Sequence, residues 1–163
     1  MYPRLTHVNP AVVLAAVKVV LKFMDFSGDV DFVRTATSRL ANPLISLLTA
    51  PHEIQYIALR NIKFILDKRP TIFDQNIKIF FIKYTDPVYV KLEKIEVLKR
   101  VANVSNIELI LSELKEYARD FDVDCMRRAI RSIGHIIFSV DRAGKKAITL
   151  IKDVINSPSD AAL

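Results

Sequence analysis

The sequence predicts an all-α protein built from stacked helix pairs. Apolar residues recur at helical spacing almost from end to end, and strand-like alternation is nearly absent. Helix-start signals of the Asn-Pro and Asp-Pro kind punctuate the chain. Mean hydropathy is +0.23, with 51% hydrophobic residues among 163. That is high for helices apolar on one face only, and it suits helices buried on more than one side, as in stacked layers.

The elements follow in order. Asn9-Pro10 reads as an N-cap with proline at the first helical position, opening a helix to about Phe26. Ser27-Gly28-Asp29 breaks it. A second helix runs from about Asp31 to Leu48, with a kink or split expected at Pro43 near Asn42. Thr49-Ala50-Pro51 restarts the chain into a helix over about His52–Lys68, which Pro70 stops. A shorter helical segment covers roughly Thr71–Lys83. Asp86-Pro87 repeats the earlier start signal and opens a helix to about Ala102. Ser105-Asn106-Ile107-Glu108 has capping-box spacing and opens a helix to about Arg119. Asp122 caps a helix to about Phe138, and Asp141 starts one that ends before Ser157-Pro158. About eight helices with short loops are expected.

Every second helix shares a frame of apolar, small and apolar residues. The frames are Val12, Ala16, Val20; Ile54, Ala58, Ile62; Val88, Leu92, Ile95; and Cys125, Ala129, Ile133. They start at intervals of 42, 34 and 37 residues, which are the lengths of paired-helix repeats. The architecture implied is an α-α superhelix, a HEAT or armadillo-type solenoid, over residues 1–163 as one segment. The alanine at the centre of three frames lets a neighbouring helix approach closely.

Composition narrows the function. Gly 3 and Pro 7 argue against a linker or low-complexity chain. The densest apolar stretch, Ala11 to Met24, is interrupted by Lys18 and Lys22 and is too short to span a bilayer, which takes about 20 residues. Cys125 is alone, so no intrachain disulfide forms, which is compatible with a reducing compartment. It occupies an apolar frame position and reads as core. His7, His52 and His135 have no ligand spacing, so no metal is expected. Gly28, Gly134 and Gly144 are isolated, which excludes a dinucleotide fingerprint and a P-loop. Glu113, Glu116, Asp120, Asp122 and Asp124 lie beside Lys115, Arg119 and Arg127 and read as solvated ion pairs. No enzyme and no cofactor are expected.

The net charge of +6 suits an acidic partner or membrane surface better than nucleic acid. The basic groupings are Arg60, Lys63, Lys68 and Arg69; Arg127, Arg128 and Arg131; and Lys145 with Lys146. A solvated helix face is the plain reading. Contact with an acidic partner or anionic lipid is the functional one. Nucleic acid would require aromatics exposed among the cations. Phe64, Phe80, Phe81 and Tyr84 instead fall at spacings expected of core.

Several unbroken strings resemble one family. They are Pro3-Arg4-Leu5 with His7, Ala11 to Leu14, Ala16 to Val19, Gln55 to Ile62, Lys68-Arg69-Pro70, Phe80 to Tyr84 running into Asp86 to Lys94, Glu113 to Ala118, and Ala129 to Gly134. Together they cover about Pro3 to Asn156 and are similar to β-adaptin, the β large subunit of clathrin-associated adaptor complexes.

The resemblance implies a non-enzymatic scaffold in vesicle-mediated protein transport, cytoplasmic and peripheral on clathrin-coated membranes of the trans-Golgi network, endosome or plasma membrane. Its implied partners are a second large adaptin and medium and small subunits in a heterotetramer. Clathrin would be engaged through a hinge and box not found in this stretch. The implied fold is an α-solenoid trunk, of which these residues resemble an interior to carboxy-terminal piece, with an apolar face open at each end. Other classes consistent with helical repeats are a scaffold for nuclear-transport or phosphatase clients and a phosphoinositide-binding module.

Overall fold

The computed structural model describes residues 2–140. The helix predicted to open at Asp141, and with it Lys145 and Lys146, lies outside the described residues. Those residues form six α-helices: α1 (Pro10–Phe26), α2 (Val30–Leu47), α3 (His52–Lys68), α4 (Val88–Val101), α5 (Ile107–Tyr117) and α6 (Val123–Ser139). The class is all-α, as the sequence predicts. The chain divides into two compact units that meet in sequence at Phe73 and Asp74.

In the first unit, α1, α2 and α3 pack on one another, and a 3-10 turn at Tyr2–Thr6 lies against α1 and α2. Asn9 caps α1 as expected, its side chain accepting the Ala11 N–H at 2.9 Å. Asp29 does the same for α2, accepting from Asp31 and Phe32. Such caps satisfy N–H groups that no helical carbonyl can reach. The split expected at Pro43 does not occur, because α2 runs through it. Proline removes one backbone N–H, but buried Leu40, Leu44 and Leu47 anchor the helix on both sides of it. On α3, Ala58 and Ile62 are fully buried, as their frame requires.

The segment predicted as a helix over Thr71–Lys83 is instead a 3-10 stretch, Pro70–Phe80, broken at Asn76 (φ −125°, ψ 27°). Asp74-Gln75-Asn76 favours local turns over helix. Phe73, Ile77 and Phe80 are buried and hold the stretch in place.

In the second unit, α6 packs against α4 and α5. Asp122 caps α6 by accepting the Cys125 N–H at 2.9 Å, and Cys125, Ala129 and Ile133 are buried. Two start signals act differently from expectation. Asp86 does not cap α4: that helix begins at Val88 after Pro87, and the Asp86 side chain turns inward. The Ser105 capping box does not form either, since Ser105 Oγ donates to Asn103 Oδ1 at 2.6 Å. Asn106 instead ties the α4–α5 turn, accepting the Asn103 N–H and donating to the Val101 carbonyl. The α4 frame is displaced as well. Val88 is exposed, whereas Val90, Ile95, Val97, Leu98 and Val101 are buried. The helix has turned to place Lys94 inside, against Asp86.

Candidate interaction surfaces

Among the described residues, the basic ones singled out by sequence fall into two groups, one on each unit. On α3, Arg60 is exposed and stands over the Tyr56 ring, 5.8 Å from its centroid. Lys63 is half-buried. Lys68 closes α3, and Arg69 follows, its N–H donating to the Ile65 carbonyl at 2.8 Å. Beside them Ile57 and Phe64 face solvent, Phe64 at 68% exposure. The expectation that Phe64 belongs to the core is therefore wrong. It lies four residues beyond Arg60, and that spacing keeps it on the outer stripe with the arginine.

On α6, Arg127 and Arg131 are exposed on one outward face with Ile130. Arg128 lies one position further around the helix and points toward α4, reaching Glu96 Oε2 at 3.4 Å. Glu96 also binds Lys99 Nζ at 2.6 Å and the Arg100 guanidinium. Burial tends to raise the Glu96 pKa, but the hydrogen bonds from Lys99 and Arg100 outweigh it and bring it down to about 2. Arg128 therefore helps hold α6 on α4, while Arg127 and Arg131 make no ion pair with the described residues.

The carboxylates near residue 120 are not simply solvated. Asp120 pairs with Lys91 of α4 at 2.9 Å, largely shielded on both sides. Burial raises its pKa, yet the Asp122 N–H and Lys91 together lower it below the ordinary carboxylate value. The buried Cys125 thiol is pushed up to about 12, first by desolvation and then by the neighbouring Asp120 charge. Such a thiol is neither nucleophile nor ligand at neutral pH. Tyr117 is raised by burial too. Its hydroxyl accepts the Ile82 N–H at 2.9 Å and donates to Glu113 Oε2 at 2.9 Å. Sequence reasoning missed Tyr117 and Lys94 as organising groups, since neither carries a motif. Phe80 is buried as expected and Phe81 half-buried, but Tyr84 is 102% exposed.

Chemically, each group pairs cations with exposed apolar side chains, an arrangement suited to protein contacts or anionic headgroups. No described helix is long and apolar enough to cross a membrane. The described residues form an all-α fold, and each of its two units carries cations beside exposed apolar side chains.

The Adaptin N terminal region family matches residues 1–162, and the chain belongs to that family. It is 48% identical over 156 residues to the AP-1 complex subunit beta-1 of Homo sapiens, covering 95% of this chain and 16% of that protein. Similarity to the AP-1 complex subunit beta of Dictyostelium discoideum is 46% over 155 residues, with coverage of 95% and 16%. The AP-2 complex subunit beta of Schizosaccharomyces pombe is 34% identical over 156 residues, with coverage of 95% and 23%. The chain thus spans less than a quarter of each of these relatives.

Proposed function

We propose that this chain is a scaffold segment of the β large subunit of a clathrin-associated adaptor complex, acting by binding and not by catalysis. The observation that carries this reading is the 48% identity along 95% of the chain to AP-1 beta subunits. On this reading the two units are consecutive parts of an α-solenoid trunk. Solenoids bind along their concave faces, and here the bound clients are the smaller adaptor subunits at the cytoplasmic face of clathrin-coated membranes. The test is co-expression with the amino-terminal domain of a medium adaptin and copurification at low and high salt. A stoichiometric complex that survives high salt is expected. No complex, from folded chain and from the full-length subunit alike, refutes the reading.

A second role rests on Arg127 and Arg131, which are exposed beside Ile130. Clustered cations near anionic lipid contribute about 1 kcal/mol each, so this face adds membrane affinity to the assembled complex.

A further inference from the structure

The turn between the 3-10 stretch and α4, residues 81–87, is held more tightly than its surface position requires. The Ile82 N–H donates to Tyr117 Oη at 2.9 Å, and the Lys83 N–H donates to Asp86 Oδ2 at 2.7 Å. Lys94 Nζ donates both to the Phe81 carbonyl at 3.2 Å and to Asp86 Oδ2 at 2.6 Å. Asp86 closes the turn, its own N–H donating to the Lys83 carbonyl at 3.0 Å. The Lys94 and Asp86 side chains are 2% and 1% exposed. Two charges taken out of water return little net stability through their attraction. A buried pair of this kind is explained better by the single turn conformation it enforces than by the energy it adds.

That conformation leaves Tyr84 wholly in solvent, with Lys83 beside it also exposed. An exposed tyrosine ring stabilises nothing in the unit that carries it. A tyrosine on a pinned turn is a low-entropy anchor, because few degrees of freedom remain to be lost on binding. Lys83 makes no ion pair with the described residues, and the nearest carboxylate in sequence, Asp86, is buried against Lys94. The turn therefore presents one aromatic ring and one uncompensated cation.

We propose that the pinned turn is a docking anchor for another subunit of the adaptor complex, which receives the Tyr84 ring in an apolar slot edged by a carboxylate facing Lys83. A lipid surface is a poorer occupant, since one ring and one cation on a compact turn offer little apolar area for insertion. The proposal rests on the adaptor reading above.

The test uses the full-length subunit assembled with its partner subunits, carrying a photo-crosslinking phenylalanine analogue in place of Tyr84. A control places the same analogue at Val104, exposed on the α4–α5 turn. Illumination of the purified complex is expected to join position 84, and not position 104, to one partner subunit. Tyr84→Ala is expected to weaken binding of that subunit at least tenfold and Lys83→Glu severalfold, with the melting temperature unchanged. Complex that assembles normally but gives no protein crosslink from position 84, or a crosslink only to added anionic lipid, overturns the anchor and leaves the adaptor reading intact. A chain that enters no complex overturns both.

Discussion

Lys94 on α4 and Asp86 on the preceding turn form a 2.6 Å ion pair, with their side chains 2% and 1% exposed. The aspartate that by sequence looks like a helix start signal is therefore an interior counter-ion, and Lys94 is its partner. Asp86 also accepts the Lys83 N–H and Lys94 also donates to the Phe81 carbonyl, so the pair fastens the turn to the helix.

Removing only one member strands the other charge in a dry site. Lys94→Met is expected to destabilise the second unit by about 3–5 kcal/mol, the usual cost of breaking a buried pair. Asp86→Asn combined with Lys94→Met should recover most of that loss, because the asparagine oxygen can still accept the Lys83 N–H. Urea unfolding of the single and double variants measures the difference. Equal loss in both would contradict the charge argument.

The carboxylates of Glu96 and Asp120 make stability fall in acid. Glu96 has a folded pKa of about 2 against an ordinary value of 4.5, and Asp120 is also lowered. A depressed folded pKa contributes stability that is complete above the unfolded value and is lost as pH falls through the folded one. The Glu96 contribution, roughly 3 kcal/mol at 1.36 kcal/mol per pH unit, should therefore disappear between about pH 5 and pH 2. Glu96→Gln should flatten that limb in melting curves recorded across the range, and adding Asp120→Asn should flatten it further.

Cys125 should be inert while the chain is folded. Its thiol is buried and raised to about 12, so little thiolate exists at pH 8 for an alkylating or disulfide reagent to attack. Iodoacetamide labelling is expected only in denaturant. Rapid labelling of native protein would show that α6 opens far more readily than its packing implies.

Charge reversal separates binding from scaffolding on α6. Arg127→Glu with Arg131→Glu should leave the melting temperature nearly unchanged, since exposed unpaired charges add little to stability. The same change should reduce salt-sensitive binding to anionic liposomes. Arg128→Glu sets a like charge against Glu96 and should lower stability instead. Unchanged liposome binding by the first variant would remove the membrane role.

The repeat frame has its own test. Ala129 is completely buried in α6, which packs on both α4 and α5. Ala129→Leu should cost about 1–3 kcal/mol through overpacking, whereas the same change at exposed Ala15 should be close to neutral in chemical denaturation.

Much of this was legible in the chain. Asn9 and Asp122 cap their helices as their local sequence says, because an N-cap depends only on residues within one turn, while Asp29, which reads as part of a break, caps α2 as well. The buried alanines at 16, 58 and 129 follow from periodicity alone. Five of the nine basic candidates, Arg60, Lys63, Arg127, Arg128 and Arg131, lie on α-helices with described side chains, yet Arg128 is held by Glu96. Spacing within α6 sets Arg128 about 100° around the axis from Arg127, but it does not show that Glu96 waits there, because that residue is on another helix.

The sequence by itself therefore determined the all-α class, most helix starts and the small residues at the centres of three repeat frames. These are short-range properties of backbone hydrogen bonding and helical periodicity. Only the tertiary structure decided that Asp86 and Lys94 face inward, that Phe64 and Tyr84 face solvent, and that the helix continues through Pro43. Each of those outcomes depends on which neighbouring element occupies the adjacent space. A rotation of one residue, about 100° around a helix axis, is enough to exchange core for surface.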